Sequence, residues 1–409
     1  MAAKKIVYII GTYPLLTTTF IDREILRLIE LGVDLKIFSI RKPPRHLPLS
    51  SFQLELQKGV RYLLPIHILT LIMSQIYFAL FKPKIYFGTL AFLVSRPHPH
   101  FSAIFKTILH FGEGVYFAYF LRKEKIHEIH AHFLDRSAVL AMVARRLLDV
   151  PYSLSIHAGA DIYVHPVLIH EKLEESRKAV TCTQFNIKHL ASLVGEIAKE
   201  KITFIPHGLD ASIYIPADQS NGTFRILSVG QLKMRKGFLQ LIDVCKRLNE
   251  EGYDFSCDII GQGPLRTSLE EKISQYALND KVTLCGALPH EEVLERYQTA
   301  LMFVLPCIQT EEGDVDGIPN VLLEAMAMKL PVISTRVSAI PELVVDQKNG
   351  VLVNSNDEDE LFDAVIDLYM SPEKRAQLGG AGRQTVLSDF NINTNIDHFV
   401  KTLWPELIQ

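Results

Sequence analysis

The 409 residues predict an α/β fold of two doubly wound, parallel-sheet units. Three observations carry that expectation. Short apolar runs rich in Val and Ile recur along the chain, most of them closed by Gly or Pro. Between them lie stretches whose apolar residues recur at helical spacing. The rhythm stops once, in the polar, turn-rich segment ASIYIPADQSNG at 211–222, and starts afresh at Phe224. With 48% hydrophobic and 22% charged residues the chain is a folded one rather than disordered, and it is long enough for two cores.

Taken in order, Lys5 to Ile10 reads as a buried strand and Gly11-Thr12-Tyr13-Pro14 as the turn after it. The helix that follows places Phe20, Ile21, Ile25, Leu28 and Ile29 on one face, with Thr caps before it and Gly32 at its end. Val33 to Ile40 is the next strand, so the chain opens as strand, Gly loop, helix, strand. The loop lacks G-x-G-x-x-G, so a dinucleotide is unsupported. An apolar block spans about 60–121. Strands are expected at Ile126–Phe133, Pro151–Ile156, Ala179–Thr183 and Ile202–Ile205, and helices at Ser137–Leu148 and Asn186–Leu193. From Phe224 on, strands are expected at Arg225–Val229, Phe255–Ile260, Val282–Leu284, Met302–Leu305 and Pro331–Thr335. The helices between and after them are expected at Phe238–Asn249, Leu265–Ala277, Glu291–Gln298, near Pro319, at Glu358–Met370, at Pro372–Leu378 and at about Asn393–Trp404.

Charge divides the chain. Residues 1–210 carry 26 Lys and Arg against 17 Asp and Glu, whereas the remainder carries 17 against 29. A basic first half favours phosphates or an anionic membrane surface. No nucleic acid is expected as a partner. The five cysteines form no C-x-x-C pair and read as small buried hydrophobes of a reducing compartment. No signal-peptide pattern opens the sequence, so a cytoplasmic location is expected. Tyr62–Phe81 has twenty residues without a formal charge. Its Pro, His, Ser and Gln favour a core or interfacial helix over a membrane span.

Three histidines, His127, His130 and His132, share one expected strand; alternation puts the last two on one face, and no acidic or Cys partner stands nearby in sequence to support zinc. His157 opens the loop after the next strand, where open α/β sheets bind ligands. It reads either as a ligand-facing residue or as a hydrogen-bonded loop corner. The most informative stretch is Pro306–Glu342. An acidic loop leads into a helix announced by Pro319, and Asp316 and Glu324 sit eight positions apart, one before the helix and one on its second turn. Lys233, Arg235 and Lys236 lie in the loop after the first strand of the second unit. Cations suit a diphosphate and a carboxylate suits vicinal ribose hydroxyls, so together they describe a nucleotide-diphosphate site.

These segments, from PLLTTTFIDREI through IHAHF, PYSLSIHAGADIY, IPHGLD, VGQLKMRKGF and GQGPL to DGIPNVLLEAMAMKLPVIST, resemble the retaining glycosyltransferases of family 4, and within them the enzymes that build colanic-acid-type exopolysaccharides and O-antigens. The resemblance implies a GT-B fold: a 1–208 acceptor domain with a membrane-facing 60–121 region, a 209–222 linker, a 223–385 donor domain and a 386–409 helix crossing back, with an interdomain cleft. It implies transfer of a sugar, with retention and without a metal or other cofactor, from a UDP- or GDP-linked donor to a glycan or lipid-linked oligosaccharide, by an enzyme peripheral on the cytoplasmic face of the inner membrane. By the same resemblance Glu324 holds the donor ribose and Gly317, Ile318, Pro319 and Asn320 meet the phosphates and sugar. Lys236, helped by Lys233, binds the diphosphate; His157 and Asp316 hold the sugar; and Gly11, Gly230 and Gly261 frame the site. Two positions depart from the pattern: Asp316 stands where Glu is usual, and Gln231 where Arg is usual. Asp314-Val315-Asp316 also spells the D-x-D of metal-dependent glycosyltransferases, but inside the better-matching element. A nucleotide-sugar epimerase or hydrolase, or a non-catalytic glycan- or membrane-binding relative, remains open on sequence.

Overall fold

A computed structural model describes residues 4–15, 18–44, 47, 49–217 and 224–407. Thr17 of the expected helix cap and residues 218–222 of the expected linker lie outside these. The chain forms two compact units, Met1–Pro206 with Asn395–Gln409, and His207–Thr394.

The first unit is a seven-stranded parallel sheet of β1 (Lys5–Thr12), β2 (Asp34–Arg41), β3 (Val60–Tyr62), β4 (Glu128–His132), β5 (Tyr152–Ile156), β6 (Ala179–Thr181) and β7 (Ile202–Phe204), ordered 3-2-1-4-5-6-7. β1 runs two residues beyond expectation, so Gly11 is inside the strand rather than in a turn. A Cβ at Gly11 would stand 3.2 Å from Asp135 Oδ2, and Asp135 caps the helix Arg136–Leu148 by accepting from Ser137 N. The core joins Val7, Ile9, Phe38, Phe117, Ile129, Leu140, Leu154 and their neighbours. Each fully buried side chain of this size contributes about 1.5–3 kcal/mol.

Tyr62–Phe81 is not one helix. Tyr62 ends β3, and the helix Ile68–Phe81 is bent by 111° from the next, Pro83–Ser95. Fourteen residues rise only about 21 Å, against roughly 30 Å of hydrocarbon. Among the described residues no single helix is long and apolar enough to cross a membrane. These two helices and Phe101–Leu121 bury one face, with Ser74, Phe78, Leu93 and Phe111, and leave Ile68, Leu69, Leu80, Phe81 and Phe101 each two-thirds or more exposed.

The second unit is a six-stranded parallel sheet of β8 (Phe224–Val229), β9 (Phe255–Ile260), β10 (Val282–Gly286), β11 (Met302–Leu305), β12 (Val332–Thr335) and β13 (Val351–Val353), ordered 10-9-8-11-12-13. Part of the expected linker belongs to this unit. Leu209 and Tyr214 are buried in its core, and Leu209 N donates to Phe390 O over 2.7 Å. Two apolar side chains outweigh the polar composition around them. The helix Pro372–Asp389 continues far past Leu378. At the far end of the chain Phe399, Leu403 and Trp404 are buried in the first unit, where Trp404 packs against Tyr8 and His130.

Candidate active site

In each sheet the strand order reverses once, between β1 and β4 and between β8 and β11. Loops leaving the C-terminal ends of such a strand pair diverge and leave a crevice. In the second unit the loop after β8 carries Gly230, Gln231, Lys233, Arg235 and Lys236, and the loop after β11 carries Cys307, Asp314 and Asp316. The two are fastened to each other. Ile308 N donates to Arg235 O over 2.9 Å. At Gly237, φ is +70° and a Cβ would fall 1.8 Å from Pro306 O, so the backbones touch where only glycine fits. Gly261 does the same for the loop after β9, its Cβ position lying 1.8 Å from Gly230 O.

The charges gathered there are paired. Lys236 Nζ lies 2.5 Å from Asp316 Oδ2, and Arg235 Nε 3.0 Å from Asp316 Oδ1. Arg235 Nη1 donates to both oxygens of Asp314 at 3.0 and 2.8 Å. Burial pushes the Asp316 carboxyl up, but Lys236 and Arg235 outweigh it and hold the group below the ordinary Asp value. Burial lowers the Lys233 ammonium, with Arg235 adding to the effect. Cys307, whose thiol lies 3.9 Å from Asp316 Oδ2, is pushed by burial up to about 12 and stays a thiol. Both carboxylates of the D-x-D tripeptide therefore face protein cations. No disulfide joins the cysteines among the described residues.

The acidic loop ends at Pro319, the extended cap of the helix Asn320–Ala327. Glu324 is buried on its second turn, as the spacing predicts, and accepts from Tyr297 Oη over 3.3 Å. The same hydroxyl donates to Val321 O, so the neighbouring helix His290–Thr299 fixes where this carboxylate stands. Asn320 Oδ1 lies 3.3 Å from His207 Nδ1. Thus Gly230, Lys233, Lys236, Gly261, Asp316, Gly317, Ile318, Pro319, Asn320 and Glu324 all fall in the second unit, whereas Gly11 and His157 fall in the first. The Arg235–Asp314 pair, Tyr297 and His207 escape sequence reasoning. The alternation of acids at 314 and 316 opposite the run 233–236 is the one trace of the pairing left in the sequence.

In the first unit, His157 follows β5 and is nearly buried between Phe20 and Phe133. Its Nε2 lies 3.1 Å from His132 Nδ1. His130 and His132 do share a face, but an acidic partner is present after all: Glu24 Oε1 stands 3.4 Å from His132 Nε2. His127 lies before β4 and contacts Glu406 instead.

Comparison with known proteins places this arrangement. Residues 216–385 match the family described as "Glycosyl transferases group 1". The chain is 36% identical over 196 residues to the putative colanic acid biosynthesis glycosyltransferase WcaL of Escherichia coli, covering 47% of this chain and 48% of that protein. It is 29% identical over 223 residues to the GDP-mannose-dependent alpha-(1-6)-phosphatidylinositol monomannoside mannosyltransferase of Mycolicibacterium smegmatis, covering 52% and 58%. The matched region thus spans about half the length of these curated relatives. Among solved structures, HepE of Anabaena in complex with UDP superposes with a TM-score of 0.70 at 13% identity over 98% of this chain and 99% of that one. That likeness shows the fold, the two parallel-sheet α/β domains of the GT-B class. Residues 216–385 of this chain are a family-4-like group 1 glycosyl transferase domain.

Proposed function

We propose that the protein transfers a sugar from a nucleotide-diphosphate donor to a hydroxyl of a glycan in exopolysaccharide biosynthesis. The observation that carries this reading is the fastening of the cationic 233–236 turn to the acidic loop that leads into the Asn320–Ala327 helix, at the strand-order reversal of the second unit. There Lys236 and the helix start stabilise a departing diphosphate, and Glu324, held by Tyr297, receives the ribose hydroxyls. His157 and Asp316 serve the sugar, as the resemblance implies. Retention of configuration and independence of metal are part of the reading. The pairing of Asp314 and Asp316 with Arg235 and Lys236 supports the latter, since a metal would have to displace both cations. The relatives named for colanic acid and amylovoran synthesis support the polysaccharide product. Those named for GDP-mannose and solved with UDP support a GDP- or UDP-linked donor.

A lipid-linked acceptor at the cytoplasmic face of a membrane completes the reading. No Asp or Glu occurs between Glu55 and Glu113, a stretch that holds Arg61, Lys82, Lys84, Arg96 and Lys106 together with the exposed apolar side chains. Such a surface suits anionic headgroups and the acyl boundary beneath them.

Thermal unfolding with a panel of nucleotide sugars tests the donor. The true donor at ~100 times its Kd adds about 2.7 kcal/mol of stability. Glu324→Ala is expected to abolish that shift, and no shift with any UDP- or GDP-sugar would sink the reading.

A further inference from the structure

The resemblance gives Asp316 a task at the sugar but none to Asp314, the other acid of the D-x-D tripeptide. Yet the loop builds Asp314 into place. Thr310 N donates to Asp314 O and Asp314 N to Thr310 Oγ1, each over 3.1 Å, and Gly313 N donates to Thr310 O over 2.9 Å. Gly313 makes the turn at φ +84°, a conformation that favours glycine. Val315 is buried, and the acids on either side of it both meet Arg235.

A carboxylate placed in this way takes up the guanidinium. Arg235 Nη1 lies 3.0 and 2.8 Å from the two oxygens of Asp314, while its Nε lies 3.0 Å from Asp316 Oδ1 and Lys236 closes the group from the other side. Burial lowers the Arg235 guanidinium, but Asp316 and Asp314 outweigh it and hold the group above the ordinary Arg value. Arg235 and Lys236 against Asp314 and Asp316 sum to zero, and Lys233 adds one positive charge. An anion entering the crevice thus meets far less net charge from these five side chains than the run of three cations in the sequence promises.

We propose that Asp314 is a resident counter-ion of the donor site, which neutralises Arg235 and so limits how tightly the site holds a nucleoside diphosphate. The inference rests on the glycosyl-transfer reading. Breaking the bond to the sugar leaves the terminal phosphate with a second ionisable oxygen, so the departing nucleoside diphosphate carries more negative charge than the donor did. A crevice of unopposed cations holds that product more tightly than the donor it must accept next, and release then limits the cycle. An acid fixed beside the cations weakens both, and the more highly charged product most. Asp314 acts in this way without touching the sugar, because its partner is Arg235.

Isothermal titration calorimetry of the full chain with UDP, GDP and the matching UDP- and GDP-sugars, with EDTA and again with Mg2+, reads this balance. Asp314→Asn is expected to bind the nucleoside diphosphate about 10-fold more tightly, the effect of one unit charge about 10 Å from a partly buried anion. The nucleotide sugar is expected to gain by a smaller factor. Asp314→Glu keeps the charge and is expected to stay near the wild-type affinity, whereas a role as a mere brace for the loop predicts weaker binding in Asp314→Asn. Unchanged or weaker diphosphate binding in Asp314→Asn overturns the proposal. So does wild-type binding that requires Mg2+ and is lost in Asp314→Asn, which would make the tripeptide a metal site. Asp314→Ser gives the same readout should Asp314→Asn not fold. If the wild type binds neither UDP nor GDP, the donor-site reading falls and takes the counter-ion with it; if it binds and Asp314→Asn changes nothing, the counter-ion alone falls.

Discussion

Asp316 is one methylene shorter than the Glu that the resemblance leads one to expect, and two cations close on it. Lys236 and Arg235 both reach its carboxylate, so removing that charge frees two positive groups rather than one. Asp316→Asn is expected to keep nucleotide-sugar binding and to lower turnover by about 10²-fold, in the range of losing one fixed electrostatic contact at a reacting centre. Steady-state kinetics beside a binding isotherm check this, and full activity would remove Asp316 from the machinery. Asp22 shows the opposite sign. Burial pushes its carboxyl from 3.8 up to about 6, although the Gln53 amide, 2.7 Å away, and nearby Arg23 pull it down. A folded-state value above the unfolded one means that the folded form keeps its proton longer, so stability falls as pH rises from about 4 to about 6. Asn at this position keeps an acceptor for Gln53 and has no proton to lose. Asp22→Asn is expected to be about 1–3 kcal/mol more stable than wild type at pH 8, with the gap closing below pH ~4 in urea titrations.

At the scale of elements, glycines mark the places where backbones meet. Gly237→Ala puts a Cβ 1.8 Å from Pro306 O in a left-handed conformation, whereas Gly252→Ala, at φ +81°, meets nothing within 4 Å. The first is expected to cost about 2–4 kcal/mol and the second only about 1, the left-handed penalty alone. Chemical denaturation of the two variants checks the difference, and equal losses would mean that the loop contact contributes nothing. The same geometry explains an element that sequence misjudges. Gly379 and Gly380 follow Leu378 and read as a helix stop, yet the helix runs on to Asp389. A Cβ at Gly379 would lie 2.0 Å from Lys329 O, so this glycine admits a neighbouring backbone instead of ending a turn. The β/α rhythm is legible because most strands are local apolar runs with a Gly or Pro at the edge. β3 and β13 are not; each has three residues, too few to give a period, and no longer apolar run carries them. Glu324 is legible because a helix start and a spacing place it. The bonds between Arg235 and Asp314 span 79 positions, and no local pattern announces them or the Glu24–His132 contact.

For the whole molecule, the segregation of charge in the sequence turns into a surface. The exposed faces of Ile68–Phe81, Pro83–Ser95 and the start of Phe101–Leu121 combine bulky apolar side chains with cations, and no acid occurs before the part-buried Glu113. Sedimentation with vesicles is expected to show binding that strengthens with anionic lipid and weakens with salt, and Leu80→Asp with Phe81→Asp is expected to reduce it by at least 10-fold without lowering nucleotide-sugar affinity. Equal sedimentation with neutral and anionic vesicles would reject the assignment. Trp404, Leu403 and Phe399 carry a different consequence. They complete the core of the unit that begins at the chain's first residues, and together they supply one of its largest buried side chains. During synthesis all of 207–394 emerges before Phe399, Leu403 and Trp404 do, so the strands of the first unit wait for residues that follow the second unit in the chain. The first unit is therefore completed after the second, and the nascent chain must be kept from aggregating through that interval.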